Sequence, residues 1–423
     1  MRKNSLKILA IVISTYFSTQ TIFANQNIYE QQGKNEDISA EVLKSFIDAY
    51  QIIKNNYVDR VDNEKLIFDA MKGMVGNLDP HSQYLDKEDK DFLINNINGE
   101  FAGIGIEYQK VDKGIKVISP LEGTPADKAG IKSGDFIFKI NDRSINTFKS
   151  VEEALKLLKG KAGEEVTLSA LRDNKEIKFN LVKEIIKVQS TKSKIISNDF
   201  GYIRISAFQK DTSIEVHKAL SEMLKERKIE GLILDLRGNP GGLLDEAIKV
   251  SDLFLDEVVV VFTKDRTNKS KLYRAKYGQI IKGTPIVVLV NNGSASASEI
   301  VAGALQDNKR AIIIGSKTFG KGSVQTIIEF DDGNAMKLTT SRYYTPNGDS
   351  IQAKGIIPDI EIYDLTVKLK KTIKRVSEKD LAGHITNDNN IEKDSSLNNI
   401  DPEKDYYLYE AVKTLKIIKL SRK

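Results

Sequence analysis

Cysteine is absent from this 423-residue chain and histidine occurs only three times. Together these scarcities exclude most of the usual routes to an activated nucleophile or a soft-metal site. Without a thiol there is no cysteine nucleophile, no disulfide and no lipid-modified amino-terminal cysteine, so the cores must hold by packing alone. A Ser-His-Asp triad needs a histidine base, and none of His81, His217 and His384 lies in a segment that reads as a base-bearing loop. His217 falls in Ser213–Leu220, an amphipathic helical pattern, and His384 in a polar stretch. His81 follows the turn starter Asp79-Pro80 and reads as a capping or packing residue. With no histidine cluster, a zinc site has almost no ligands to draw on, and no cofactor or metal is expected. Charge of one sign is also scarce: 64 Lys and Arg stand against 59 Asp and Glu, a net of +5 with both signs interleaved. No dense basic stripe with aromatics appears, so nucleic acid is not an expected partner.

Met1-Arg2-Lys3 through Lys7 forms a basic region, Ile8 to about Phe17 an apolar one, and Thr21-Ile22-Phe23-Ala24 ends on a small residue. That order predicts a cleaved signal peptide over residues 1–24 and export to the periplasm or cell envelope. Ser14, Thr15, Ser18, Thr19 and Gln20 interrupt the run short of the ~20 apolar residues that a membrane span requires.

The remaining length suits two to four domains, and the patterning predicts an α/β multidomain chain. Residues 25–97 read as a linker and a helical amino-terminal region, with Val42, Phe46, Ala49, Tyr50 and Ile53 at helical spacing. Residues 98–185 change to short strands and glycine turns. Gly103-Ile104-Gly105-Ile106 alternates glycine with a β-branched residue, which lets backbone N–H groups face a ligand. Ser150-Val151-Glu152-Glu153 has capping-box spacing before a helix whose apolar face is Val151, Ala154, Leu155 and Leu158. With the stretch Pro125–Asp135, this segment resembles a PDZ domain. Residues 186–365 alternate strands and helices as an α/β core, and 366–423 read as a polar, partly disordered tail with a terminal helix near Tyr406–Leu420.

Two stretches of the α/β segment point to chemistry. Gly293-Ser294-Ala295-Ser296-Ala297-Ser298-Glu299 follows a buried strand and opens a helix, and Phe319-Gly320-Lys321-Gly322 sets a lysine between glycines. A desolvated lysine amine can take the proton of a serine hydroxyl as an imidazole does, so the pair reads as a serine–lysine hydrolase. Leu234–Gly242 runs a strand into a glycine turn, whose N–H groups would form half of an oxyanion hole. The N–H of Ala297 would form the other half. Pro240 has no N–H, which leaves the role to its neighbours.

In order along the chain, Asp-Pro-His-Ser-x-Tyr, the PDZ segment, Asp-Leu-Arg-x-Asn-x-Gly-Gly, Ser-Ala-Ser-Ala-Ser-Glu and Phe-Gly-Lys-Gly-x-Val-Gln resemble the carboxyl-terminal processing (tail-specific) serine proteases over about Leu78–Pro358. The resemblance implies Ser296 as nucleophile, because Ala-Ser-Glu follows it, Lys321 as general base and Gln325 as the residue that orients the lysine. It implies Gly242 and Ala297 as oxyanion donors, with Gly241 a near rival, and sets Asp307 at an acidic position sometimes counted with the charge relay. It further implies that Gly103, Ile104, Gly105 and Ile106 bind a peptide carboxylate, so that partners are proteins with apolar or unfolded carboxyl termini. The alternative is a non-catalytic PDZ scaffold on a protease-like fold.

Overall fold

A computed structural model describes residues 38–111, 114–197, 199–363, 401 and 403–422. The expected signal segment, the linker up to residue 37 and the polar stretch around His384 lie outside the described residues. The chain divides into two compact units, Met1–Gly73 and Met74–Lys423. In the first, the helical stretch expected from Ser39 resolves into α1 (Ala40–Asn56), with the Ser39 hydroxyl accepting from Val42 N, and the start of α2 (Asn63–Gly76). Among the described residues no helix is long and apolar enough to cross a membrane.

The second unit begins with β1 (Gln83–Leu85), α3 (Lys87–Asn98) and β2 (Glu100–Gly103). The glycine-rich segment then builds a sheet from β3 (Ile106–Val111), β4 (Gly114–Pro120), β5 (Phe136–Ile140), β7 (Glu165–Arg172) and β8 (Lys175–Val182), with the short β6 (Arg143–Ser144) paired to β5. Between them lie α4 (Pro125–Lys128) and α5 (Val151–Lys156), the latter capped by Ser150 Oγ accepting from Glu153 N as its spacing predicts. Ile104, Ile115, Ile137, Leu155, Leu158 and Leu168 pack into one core. β3 is an edge strand, so one of its two backbone edges is unpaired within the sheet.

After β9 (Glu184–Lys187), the chain forms the larger sheet. Its order is β10 (Thr191–Ile196), β11 (Phe200–Ile205), β12 (Gly231–Asp235), β15 (Ile286–Val290), β16 (Ile312–Gly315) and β19 (Ile360–Glu361), parallel except for β10 against β11. β15 and β16 read as unbroken apolar runs because both sheet faces are covered there. Leu232, Leu234, Val288 and Ile313 face a core shared with α6 (Thr212–Glu226), α7 (Leu244–Asp252) and α8 (Ala297–Asp307). Their neighbours Ile233, Val287, Leu289 and Ile314 face the opposite layer, made by α9 (Tyr406–Ser421) through Ala411, Val412 and Leu415. A second sheet carries β13 (Val259–Asp265), β14 (Ser270–Arg274), β17 (Ser323–Glu329) and β18 (Ala335–Tyr344), with β1 on the free edge of β18.

The terminal helix expected within a polar tail is therefore a structural layer. Lysines at Lys413, Lys416 and Lys419 disguise it, but its apolar side covers the sheet, and its N-cap Asp405 takes two hydrogen bonds from Arg237, at 2.7 and 2.9 Å. Arg237 also grips the fully buried Asp235, which accepts from Tyr202 Oη at 2.7 Å. Leu415→Ala should therefore destabilise the second unit by about 2–5 kcal/mol, read as a lower midpoint in denaturant unfolding, because Leu415 is fully buried against Phe200 and Gly231.

Candidate active site

β12 and β15 are adjacent and parallel, so the loops leaving their carboxyl ends meet above the sheet, where open α/β sheets place their sites. Those loops are Leu236–Gly242 and Asn291–Ser296, and hydrogen bonds stitch them together. Ser294 Oγ donates to Leu236 O at 2.8 Å, Ser298 Oγ to Asn239 O at 2.9 Å, and Ala295 N to the same Asn239 carbonyl at 3.0 Å. Ser294 and Ser298 are fully buried and their hydroxyls committed, whereas Ser296 is half-buried and lines an open cleft with Lys321, Gln325 and Tyr343. The backbone at Ser296, at a sharp strand-to-helix turn, is strained, with φ +54° and ψ −113°.

The glycine turn is shaped around that serine. Gly241 N donates to Asn239 Oδ1 at 2.8 Å, so this amide, also expected as an oxyanion donor, is already taken. What Gly241 supplies is room: a Cβ there would stand 2.7 Å from both Ser296 Cβ and Ala295 O. Gly242 and Ala297 differ, because among the described residues neither N–H donates to a protein acceptor, and both residues line the cleft.

Lys321 reaches the cleft from the loop before β17, and its half-buried amine makes no ion pair or hydrogen bond among the described residues. Burial, followed by the charge of Lys337, holds this amine below the ordinary lysine range, against Asp79 and Glu299. His81 is close enough to feel Lys321: burial first, and then the Lys321 charge, lower its imidazole. Its N–H closes the expected turn on Asp79 Oδ1 at 2.7 Å. Gln325 donates through Nε2 to Ser323 Oγ and Thr339 Oγ1, at 3.0 and 3.2 Å. Asp307 stands apart, at the far end of the eleven-residue α8 and thus about 15 Å along its axis, where Oδ2 accepts from Asn347 N at 2.9 Å.

Sequence reasoning missed Glu299. This fully buried carboxylate accepts from Ser296 N at 2.8 Å, Lys321 N at 2.9 Å, Gly320 N at 2.7 Å and Thr318 Oγ1 at 2.6 Å. Ser-x-x-Glu beginning at Ser296 is a capping-box signature that could have found it. Tyr343, whose buried ring brings its hydroxyl beside Ser296, and Asn239 carried no such signal.

In the glycine-rich domain, Ile104 and Gly105 form the turn between β2 and β3. Gly105 has φ +78°, and a Cβ there would overlap the Thr124 side chain. The carbonyls face inward, Gly105 O accepting from Leu121 N and Thr124 Oγ1, and Ile104 O from Ala126 N. The amides of Ile104 and Gly105 have no protein acceptor among the described residues. Gly103 ends β2, half-buried Ile106 begins β3, and Leu155 and Leu158 are buried beneath.

Residues 199–362 match the model of peptidase family S41, 102–182 that of the PDZ domain, and 8–89 that of the activating protease CtpB N-terminal domain. The carboxy-terminal-processing protease of Bartonella bacilliformis is 40% identical over 420 residues, 97% of this chain and 96% of that one. The chain belongs to peptidase family S41. It is a serine-type peptidase with a PDZ domain, an α/β core and an amino-terminal helical region. The peptidase is also 38% identical over 365 residues to the carboxy-terminal processing protease CtpA of Bacillus subtilis, covering 85% of this chain and 78% of that one. A solved photosystem II D1 C-terminal processing protease is 29% identical, with a TM-score of 0.47 over 77% of this chain and 94% of that one.

Ser296→Ala should lower peptidase turnover roughly 10⁴-fold or more with an unchanged unfolding midpoint. Ser294→Ala and Ser298→Ala, each removing a buried hydroxyl that binds a carbonyl, should retain turnover while losing about 1–3 kcal/mol of stability. Turnover on a short peptide, with denaturant melts of all three variants, checks both halves of this expectation.

Proposed function

We propose that this peptidase is an exported endopeptidase that works by a serine–lysine pair, recognises protein carboxyl termini through its PDZ domain and cuts near them. The observation that carries the reading is the state of the three clustered serines: two hydroxyls are spent on carbonyls, and the third lies in the cleft with an unpaired lysine amine. Lys321 as the free amine takes the Ser296 proton while Oγ attacks the scissile carbonyl carbon. The oxygen that gains the charge rests on the N–H groups of Gly242 and Ala297. The Lys321 ammonium then protonates the leaving amine, and Lys321 activates the water that releases the acyl group. Gln325, its Nε2 engaged by Ser323 and Thr339, offers Oε1 to orient the ammonium. Asp307 supports the end of α8 through Asn347 and takes no proton in this scheme.

The PDZ domain supplies selection. An extended tail pairs with edge strand β3, and its terminal carboxylate meets the amides of Ile104 and Gly105, with Gly103 and Ile106 flanking this nest. Half-buried Ile106 beside that edge suits apolar tail residues, which unfolded chains expose. Export follows from the basic and apolar order of residues 1–24.

Because only the neutral amine accepts a proton, kcat/KM should rise with pH along a limb set by Lys321. That limb should lie below the ordinary lysine range, since burial lowers this amine. A limb at the ordinary lysine value, or activity independent of pH, would remove Lys321 as the base.

Gly105→Val places a Cβ into Thr124 at a positive φ and should disorder the carboxylate nest. KM for a protein with an apolar tail should rise about tenfold or more, while an untailed short peptide is cut as before. Unchanged preference for apolar tails would eliminate this loop from recognition.

A further inference from the structure

Lys337 carries an amine with no ion-pair partner among the described residues. It sits half-buried on β18, opposite Gln83 of β1 and Ile327 of β17, and lines the same cleft as Ser296 and Lys321. Among the described residues its amine makes no ion pair and no hydrogen bond. Thr339, two residues on and thus on the same face of the strand, holds Gln325 Nε2 and Ser82, so this face of β18 is turned to the catalytic loops.

The charges around Lys321 make the position of Lys337 consequential. Asp79, from the turn before β1, is anionic: burial opposes its charge, but the Ser82 hydroxyl and the His81 amide bring its carboxyl below the usual range. Glu299 lies under the Lys321 backbone from α8. Both favour the protonated lysine. His81 faces the same amine from the turn, and Tyr343 adds a buried phenol beside Ser296. Of the charged groups that act on Lys321, Lys337 is the one that opposes its protonation.

We propose that Lys337 is a positioning residue of the reaction: its unpaired side chain, set in the same cleft, adds to burial in disfavouring a charge on Lys321, the amine that takes the Ser296 proton. The physical basis is like-charge repulsion, by which a neighbouring cation makes a lysine nucleophilic or basic at neutral pH. Lys337 neither touches the reacting atoms nor transfers a proton itself. The inference rests on the reading of Lys321 as the base.

The test is the pH profile of kcat/KM on a short peptide without a tail, for the full chain and for Lys337→Met, Lys337→Gln and Lys337→Arg. The acidic limb should move up by about one pH unit in Lys337→Met and Lys337→Gln, a roughly tenfold loss at any pH on the limb. The plateau at high pH should be retained, and Lys337→Arg should restore the parental limb. A merely structural role would lower the plateau and leave the limb in place. An unmoved limb in both Lys337→Met and Lys337→Gln overturns the proposal, as does a downward shift or a failure of Lys337→Arg to restore it. Lys321→Ala, assayed in parallel, separates the two inferences. If it is inactive while the limb is unmoved, Lys321 stands as the base and Lys337 is dismissed; if it stays active, both fall.

Discussion

One buried carboxylate sets the distance over which the chemistry must work. Glu299 is fully buried and accepts four hydrogen bonds, two of them from the amides of Ser296 and Lys321. An isolated carboxylate at that depth would cost several kcal/mol, and burial does push its carboxyl up, against the pull of its four donors. If either loop moves, the carboxylate loses a partner it cannot replace with water. The loops after β15 and before β17 are far apart in sequence, yet the four bonds hold their backbones in one register.

That register supports a strained serine. A non-glycine residue in a sparsely allowed region costs on the order of 1–3 kcal/mol, and Ser296 sits in one. A hydrogen bond to a charged group contributes about 1.5–3 kcal/mol, so the Glu299 contact to Ser296 N alone is of comparable size and opposite sign. Asn239 supplies the other support, bonding Gly241 N, Ile205 O, Ala295 N and Ser298 Oγ through its side chain and carbonyl. Among the described residues the amide of Gly242, one residue beyond, has no protein acceptor, and neither has that of Ala297. The turn around the serine is thus rigid where the backbone is strained and unsatisfied where a developing anion would sit.

Much of this was legible in the sequence, because local signals and tertiary demands coincide. The apolar stretches Leu232–Leu234 and Ile286–Val290 marked β12 and β15, and Ser150 with Glu153 marked the start of α5. What escaped is what only folding brings together. Tyr343 lies about fifty residues from Ser296 on a strand of the other sheet, and nothing in its neighbourhood in sequence distinguishes a buried tyrosine at an active site from one in a core. Glu299 had a local signature, but its partners Thr318, Gly320 and Lys321 lie in another loop. The terminal helix was hidden by composition: its lysines suggest a solvated tail, and only the sheet face left uncovered by α6, α7 and α8 shows why Ala411, Val412 and Leu415 must be buried.

A lysine base also demands more of its surroundings than a histidine would. Histidine is neutral over half its population near pH 6.5, whereas lysine begins near 10.4 and must be deprived of solvent or confronted with charge to become an acceptor. Full burial would close the cleft to a polypeptide, and the half-burial seen for Lys321 leaves the amine exposed to its neighbours. Two of these, Asp79 and Glu299, are held in place for other reasons: Asp79 caps the turn that carries His81 and Ser82, and Glu299 ties the two loops. Removing either charge would release the amine at the expense of the scaffold. Repulsion from Lys337, as proposed, would counter them without touching that scaffold, since among the described residues its amine makes no ion pair or hydrogen bond.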